Sequence, residues 1–107
     1  MLAALVFVAS GSAFAIEEPS NGGTVARVLS YTTYGNGDVA VALSNITGKI
    51  CEGYWLNKAD PGFQANLAML VAAYHTKNSV QLYGETTLKW AGTGAYFCKL
   101  TLIDYRP

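Results

Sequence analysis

Thr24-Val-Ala-Arg-Val-Leu-Ser-Tyr-Thr-Thr-Tyr34, then Gly35-Asn36-Gly37-Asp38, then Val39-Ala-Val-Ala-Leu43, is the stretch that decides the fold class. The first part is dense in β-branched and aromatic residues, which suit a pleated, half-buried surface. The second carries two glycines able to take positive φ, which marks a turn. The third is a short apolar return strand. Together they predict an antiparallel hairpin over about 24–44.

Working toward the C-terminus, Ser44–Lys49 is a polar connection and Ile50–Leu56 reads as a third strand. Asn45-Ile46-Thr47 matches a glycosylation sequon and is read as turn chemistry. Asp60-Pro61-Gly62 looks like a helix entrance, with Asp60 as the cap and Pro61 at the first helical position. Phe63, Leu67, Leu70, Val71 and Tyr74 follow helical spacing through His75. Ser79–Tyr83 alternates as a fourth strand, Gly84–Gly94 reads as a loop holding Leu88 and Trp90, and Ala95–Tyr105 is the longest strand. The element order β-β-β-α-β-β predicts a mainly β fold with one helix, a five-stranded OB-fold-like barrel. A small α+β sandwich would give a similar string.

Toward the N-terminus, Ile16–Gly23 reads as a loose arm. Before it, MLAALVFVASGSAFA holds an apolar run from Leu2 to Val8 and an Ala13-Phe14-Ala15 end, the pattern of a secretory signal cleaved near Ala15. A buried N-terminal helix is the alternative. No Lys or Arg precedes the run. The reading makes 1–15 a signal peptide and 16–107 a single domain, exported to the periplasm or beyond.

Export makes a disulfide available, and the chain has two cysteines, Cys51 and Cys98. Bridging them closes a long loop, a contribution of roughly 4 kcal/mol in the chain-entropy model. Two free thiols or part of a metal site are the alternatives, but two Cys and one His at long spacing do not make a zinc site. No cofactor is expected.

Seven basic residues balance seven acidic ones, which gives no electrostatic footprint for nucleic acid and no basic run for a membrane surface. No catalytic constellation is visible, so the chain reads as a non-enzyme. The lone His75 falls at the predicted helix end, where it is usually solvated. Seven Tyr and two Trp remain as potential binding rings. Trp55 either stacks on a sugar or covers the core beside the disulfide. Trp90, in a Gly-rich loop, has an equal claim to exposure and to burial. Met69 and several alanines, Ala73 among them, lie off the main helical stripe and suggest an intersubunit face. Strand 95–105 carries Cys98, Leu100 and Leu102 on one side and Phe97 and Ile103 on the other, so a second subunit is expected to cover Phe97 and Ile103.

Tyr74-x-Thr76-x-x-x-Val80-x-Leu82-Tyr83, followed by Trp90, resembles the helix-to-strand segment of the B subunits of subtilase cytotoxin and typhoid toxin, relatives of the pertussis toxin binding subunits. Cys51 stands at nearly the same distance before Tyr74. The resemblance covers roughly residues 24–90. It implies a homo-oligomeric OB-fold ring of five that binds cell-surface glycans and carries a separate toxic A subunit. Those subunits contact sugar through an acidic residue and a Ser near the mature N-terminus and a Tyr after the fourth strand. The nearest positions here hold Asn21, Thr24 or Val25, and Gly84, and there are two Cys where those subunits carry more. Asn21, Thr24, Tyr83 and Trp90 are the expected sugar contacts, toward a neutral glycan. A stand-alone structural or protein-binding module without a sugar ligand is the alternative.

Overall fold

The computed structural model describes residues 16–45 and 50–105. The signal reading of 1–15, and Ile46 and Thr47 of the sequon, lie outside the described residues.

The hairpin forms as its composition dictates. Strand β2 (Val25–Ser30) pairs antiparallel with β3 (Val39–Leu43), Val28 opposite Val41 and Ser30 opposite Val39. The turn between them is longer than expected. β2 ends at Ser30, and Gly35, Asn36 and Gly37 all take positive φ, at 63°, 64° and 72°. Asn45 reaches across to the N-terminal arm, its Nδ2 donating to the Gly22 carbonyl at 2.9 Å.

Four further strands complete one sheet: β1 (Glu17–Pro19), β4 (Gly53–Leu56), β5 (Val80–Lys89) and β6 (Phe97–Tyr105), in the order β1-β5-β6-β4-β3-β2. All neighbours are antiparallel except β4 and β6. One helix, α1 (Phe63–Thr76), joins β4 to β5. The mainly β fold with one helix is therefore as expected, but the sheet has six strands, not five, and it is open. The extra strand comes from the arm expected to be loose. Glu18 pairs with Gly84, and the Ser20 N–H donates to the Leu82 carbonyl at 2.8 Å.

Two other boundaries move. The third strand begins at Gly53, because Cys51 is held by a side chain rather than by a strand partner. The expected 84–94 loop is strand as far as Lys89, with a three-residue excursion: Glu85 faces Lys99 while Lys89 faces Cys98.

Helix α1 lays Leu70 and Ala73 onto the sheet, flanked by half-buried Phe63, Leu67, Met69 and Tyr74. They meet Val25, Val39, Val41, Leu43, Tyr54, Leu56, Val80, Leu82, Leu100 and Ile103. Each such large side chain contributes about 1.5–3 kcal/mol by leaving water. Asp60 is not the helix cap. Gly62 holds that position without a side-chain hydrogen bond, and the Asp60 carboxylate pairs with Lys99 Nζ at 3.2 Å. At the other end Lys77 takes the left-handed conformation, and its ammonium lies 5.0 Å from the Tyr74 ring centre.

The expected oligomer residues are largely occupied within the chain. Ala73 is fully buried, because its small side chain lets the helix approach the sheet closely. Ile103 is core as well. A bulge explains it: Tyr83 faces Leu102 while Gly84 faces Leu100, so Thr101 is an extra residue in β6. One extra residue inverts the in–out alternation. Cys98, Leu100 and Ile103 point inward, and Leu102 is turned out. Met69 packs at the core margin, and half-buried Phe97 lies against Gly53, where a Cβ would come within 2.7 Å of its ring.

Cys51 and Cys98 form a disulfide, with Cα atoms 5.5 Å apart. It ties the segment before β4 to β6 inside the core.

Candidate functional site

The four expected ligand residues do not converge. Asn21 is exposed, beside the Gly22–Asn45 contact. Thr24 shares a hydrogen bond of 2.9 Å with Ser44. Half-buried Tyr83 donates to Gln81 at 3.4 Å, and Gln81 in turn donates to the Ser20 carbonyl. Trp90 lies elsewhere and is only 4% exposed, which settles its position in favour of burial.

Trp90 is the base of an aromatic cluster. Its ring lies between two glycines: a Cβ on Gly35 or on Gly92 would stand 2.4 Å from its Cζ2. Tyr31 stacks on it at 5.9 Å and 30°, Phe97 lies at 6.3 Å, and Tyr34 meets Tyr31 edge-on at 5.3 Å. Offset and edge-to-face pairs of this kind are the favoured aromatic geometries. Tyr34 is 60% exposed and Tyr31 38%. The hairpin turn and the β5–β6 connection thus join to present two tyrosines to solvent on a tryptophan foundation. The sequence showed the Tyr-x-x-Tyr-Gly pattern, but no local signal tied it to a residue more than fifty positions away.

Tyr54 is the residue of β4 that fills the core near the disulfide. Trp55, next in the strand, is half-buried, and its Nε1 donates to the Leu88 carbonyl at 2.9 Å. It fastens the β5 excursion down.

A second cluster surrounds the disulfide. The buried Glu18 carboxylate accepts the Cys51 N–H at 3.0 Å and the Ile50 N–H at 3.0 and 3.2 Å. Tyr54 sits beside it, its phenol pushed up to about 12, first by burial and then by the Glu18 charge, with a Ser20 hydrogen bond opposing. Nearby on β5, the Glu85 carboxyl is held below its usual range, chiefly by the Thr87 hydroxyl. Among the described residues no group of three or more His, Cys, Asp and Glu could hold a metal ion, and no helix is long and apolar enough to cross a membrane. His75 is exposed and stacks edge-on to Tyr74 at 5.4 Å. The glutamate cluster is buried in the core, whereas the tyrosine cluster reaches solvent through Tyr31 and Tyr34.

No protein-family model matches the chain, and no curated protein matches it either.

Proposed function

We propose that this chain is an exported, disulfide-closed binding module of OB type that receives a neutral sugar ring on Tyr31 and Tyr34. The observation that carries it is the pair of solvent-facing tyrosines braced by buried Trp90. Flat aromatic faces offer a sugar's C–H face a preorganised apolar platform. The balanced charge of seven basic and seven acidic residues favours a neutral ligand over an anionic polymer.

The strand order supports the OB reading. From β2 onward the neighbours run β2-β3-β4-β6-β5, with the helix between β4 and β5. An OB barrel is partly open, and its first and last loops border the ligand face. Here those loops hold Tyr31, Tyr34 and Trp90. The two ends of the sheet, β1 and β2, are consecutive in the chain. Gly23, between them, exchanges two backbone hydrogen bonds with Val80, at 3.1 and 2.9 Å. That pair would close a rolled sheet. The disulfide suits an oxidising compartment.

A second role, self-association, draws on one observation. Leu102, 47% exposed, stands directly opposite Tyr83 on the outer side of β5 and β6. This outward pair replaces Ala73 and Ile103 as the contact between copies. In a ring such as the toxin likeness implies, weak single sites would gain through avidity, and an exported enzymatic chain would be its passenger. A glycan array probed with wild type and Tyr34→Ala tests the binding role. Binding to neutral glycans that the variant loses supports it. A blank array makes the stand-alone structural module the better reading.

A further inference from the structure

We infer that the Tyr34–Gly37 turn is a movable cover, and that the Trp90 indole N–H beneath it donates to a hydroxyl oxygen of the bound sugar. This rests on the binding role proposed above and adds the group that fixes the ligand's orientation.

Trp90 is 4% exposed, yet its Nε1 has no hydrogen-bond partner among the described residues. Buried indole N–H groups are nearly always paired, and an unpaired one calls for an acceptor. Trp55, the other tryptophan, follows the rule by donating to the Leu88 carbonyl. The unpaired edge of Trp90 faces the turn: a Cβ on Gly35 would lie 3.2 Å from Nε1 and 2.4 Å from Cζ2.

The turn carries no Cβ at Gly35 or Gly37, where the backbone can readjust at little steric cost. Gly35, Asn36 and Gly37 occupy the left-handed region in succession, at φ of 63°, 64° and 72°. Asn36 is not a glycine, so its conformation is held by context. Two hydrogen bonds at Asp38 hold the turn. The Asp38 N–H donates to the Gly35 carbonyl at 3.2 Å, and the buried Asp38 carboxylate accepts the Lys58 N–H at 3.0 Å. Tyr34 is 60% exposed. A turn with glycine on both sides of Asn36 therefore lies over an unsatisfied donor, beside two rings suited to a sugar face. A small displacement of the turn would let a hydroxyl reach the indole while the sugar ring rests on the tyrosines. One neutral donor suits a neutral hydroxyl, whereas a carboxylate would ask for a cation or several N–H groups.

The test is the pair of indole N–H signals in the ¹H–¹⁵N spectrum of the wild-type protein, which has two tryptophans. They are assigned with Trp90→Phe, or with Trp55→Phe if the former fails to fold. Two results are expected. The Trp90 N–H exchanges with solvent well before global unfolding. Titration with galactose-, glucose- and mannose-terminated neutral oligosaccharides moves it downfield while the Trp55 signal stays. Trp90→Phe, if folded, should weaken binding about tenfold, the loss of one hydrogen bond. Sugar binding that moves the Tyr31 and Tyr34 ring signals but leaves Trp90 unmoved overturns the cover and leaves the binding role standing. Exchange of Trp90 only at the global unfolding rate overturns the cover as well. Titration that moves no signal overturns both.

Discussion

Gly84 packs so closely on Cys98 that a Cβ on Gly84 would lie 2.8 Å from the Cys98 Cβ. The same hypothetical atom would stand 2.9 Å from the Tyr54 ring and 3.1 Å from the Cys51 sulfur. Glycine at position 84 is the space in which the disulfide and Tyr54 are packed. Gly84→Ala should destabilise the oxidised protein by about 1–3 kcal/mol through overpacking. Chemical denaturation of the variant checks this, and an unchanged midpoint would mean that the core tolerates the methyl group.

The disulfide itself is the next prediction. Cys51→Ser removes the closure of a 47-residue separation. The expected loss is about 4 kcal/mol, much of the net stability of so small a domain. Thiol titration of natively produced protein should find no free thiol. Two free thiols would contradict the pairing.

Glu18 serves as a surrogate backbone partner, accepting the N–H groups of Ile50 and Cys51 where β4 has not yet begun. Glu18→Ala leaves the buried Cys51 N–H and the part-buried Ile50 N–H without their acceptor, with an expected cost of about 1–3 kcal/mol. Glu18→Gln retains an acceptor oxygen and should recover part of it. Hydrogen exchange at the Cys51 amide gives the direct reading: fast in the alanine variant, slow in wild type.

Tyr54 sets the alkaline limit. Its phenol lies at about 12 in the fold, against an ordinary value of 10.0. A group whose pKa is raised by folding contributes stability that is complete below the unfolded value and fades as pH rises through the folded one. Stability should therefore fall between about pH 10 and 12, and Tyr54→Phe should flatten that limb. An equally steep fall in the variant would assign it to other groups.

The fold was legible where local chemistry decides structure. Val39–Leu43 with its Gly-Asn-Gly turn, and Phe63–Tyr74 with its helical spacing, carry their elements in their own composition. The rest depended on partners distant in sequence. Glu17–Pro19 has no strand signal of its own and becomes a strand because Gly84 and Tyr83 offer an edge. Ile103 looked outward because a bulge at Thr101 has no mark in the sequence. Trp90 read equally as exposed or buried, because Gly35, which makes room for it, lies across the fold. The tyrosine platform was unreadable for the same reason.

The sugar-binding surface proposed for Tyr31 and Tyr34 is measured by direct titration. Neutral oligosaccharides are titrated into wild type and into the double variant Tyr31→Ala/Tyr34→Ala, with circular dichroism confirming that both are folded. Wild type should bind weakly and saturably, more strongly to a multivalent glycan surface, and the double variant should lose binding. Equal binding by both folded proteins, or none by wild type, would contradict the proposed surface.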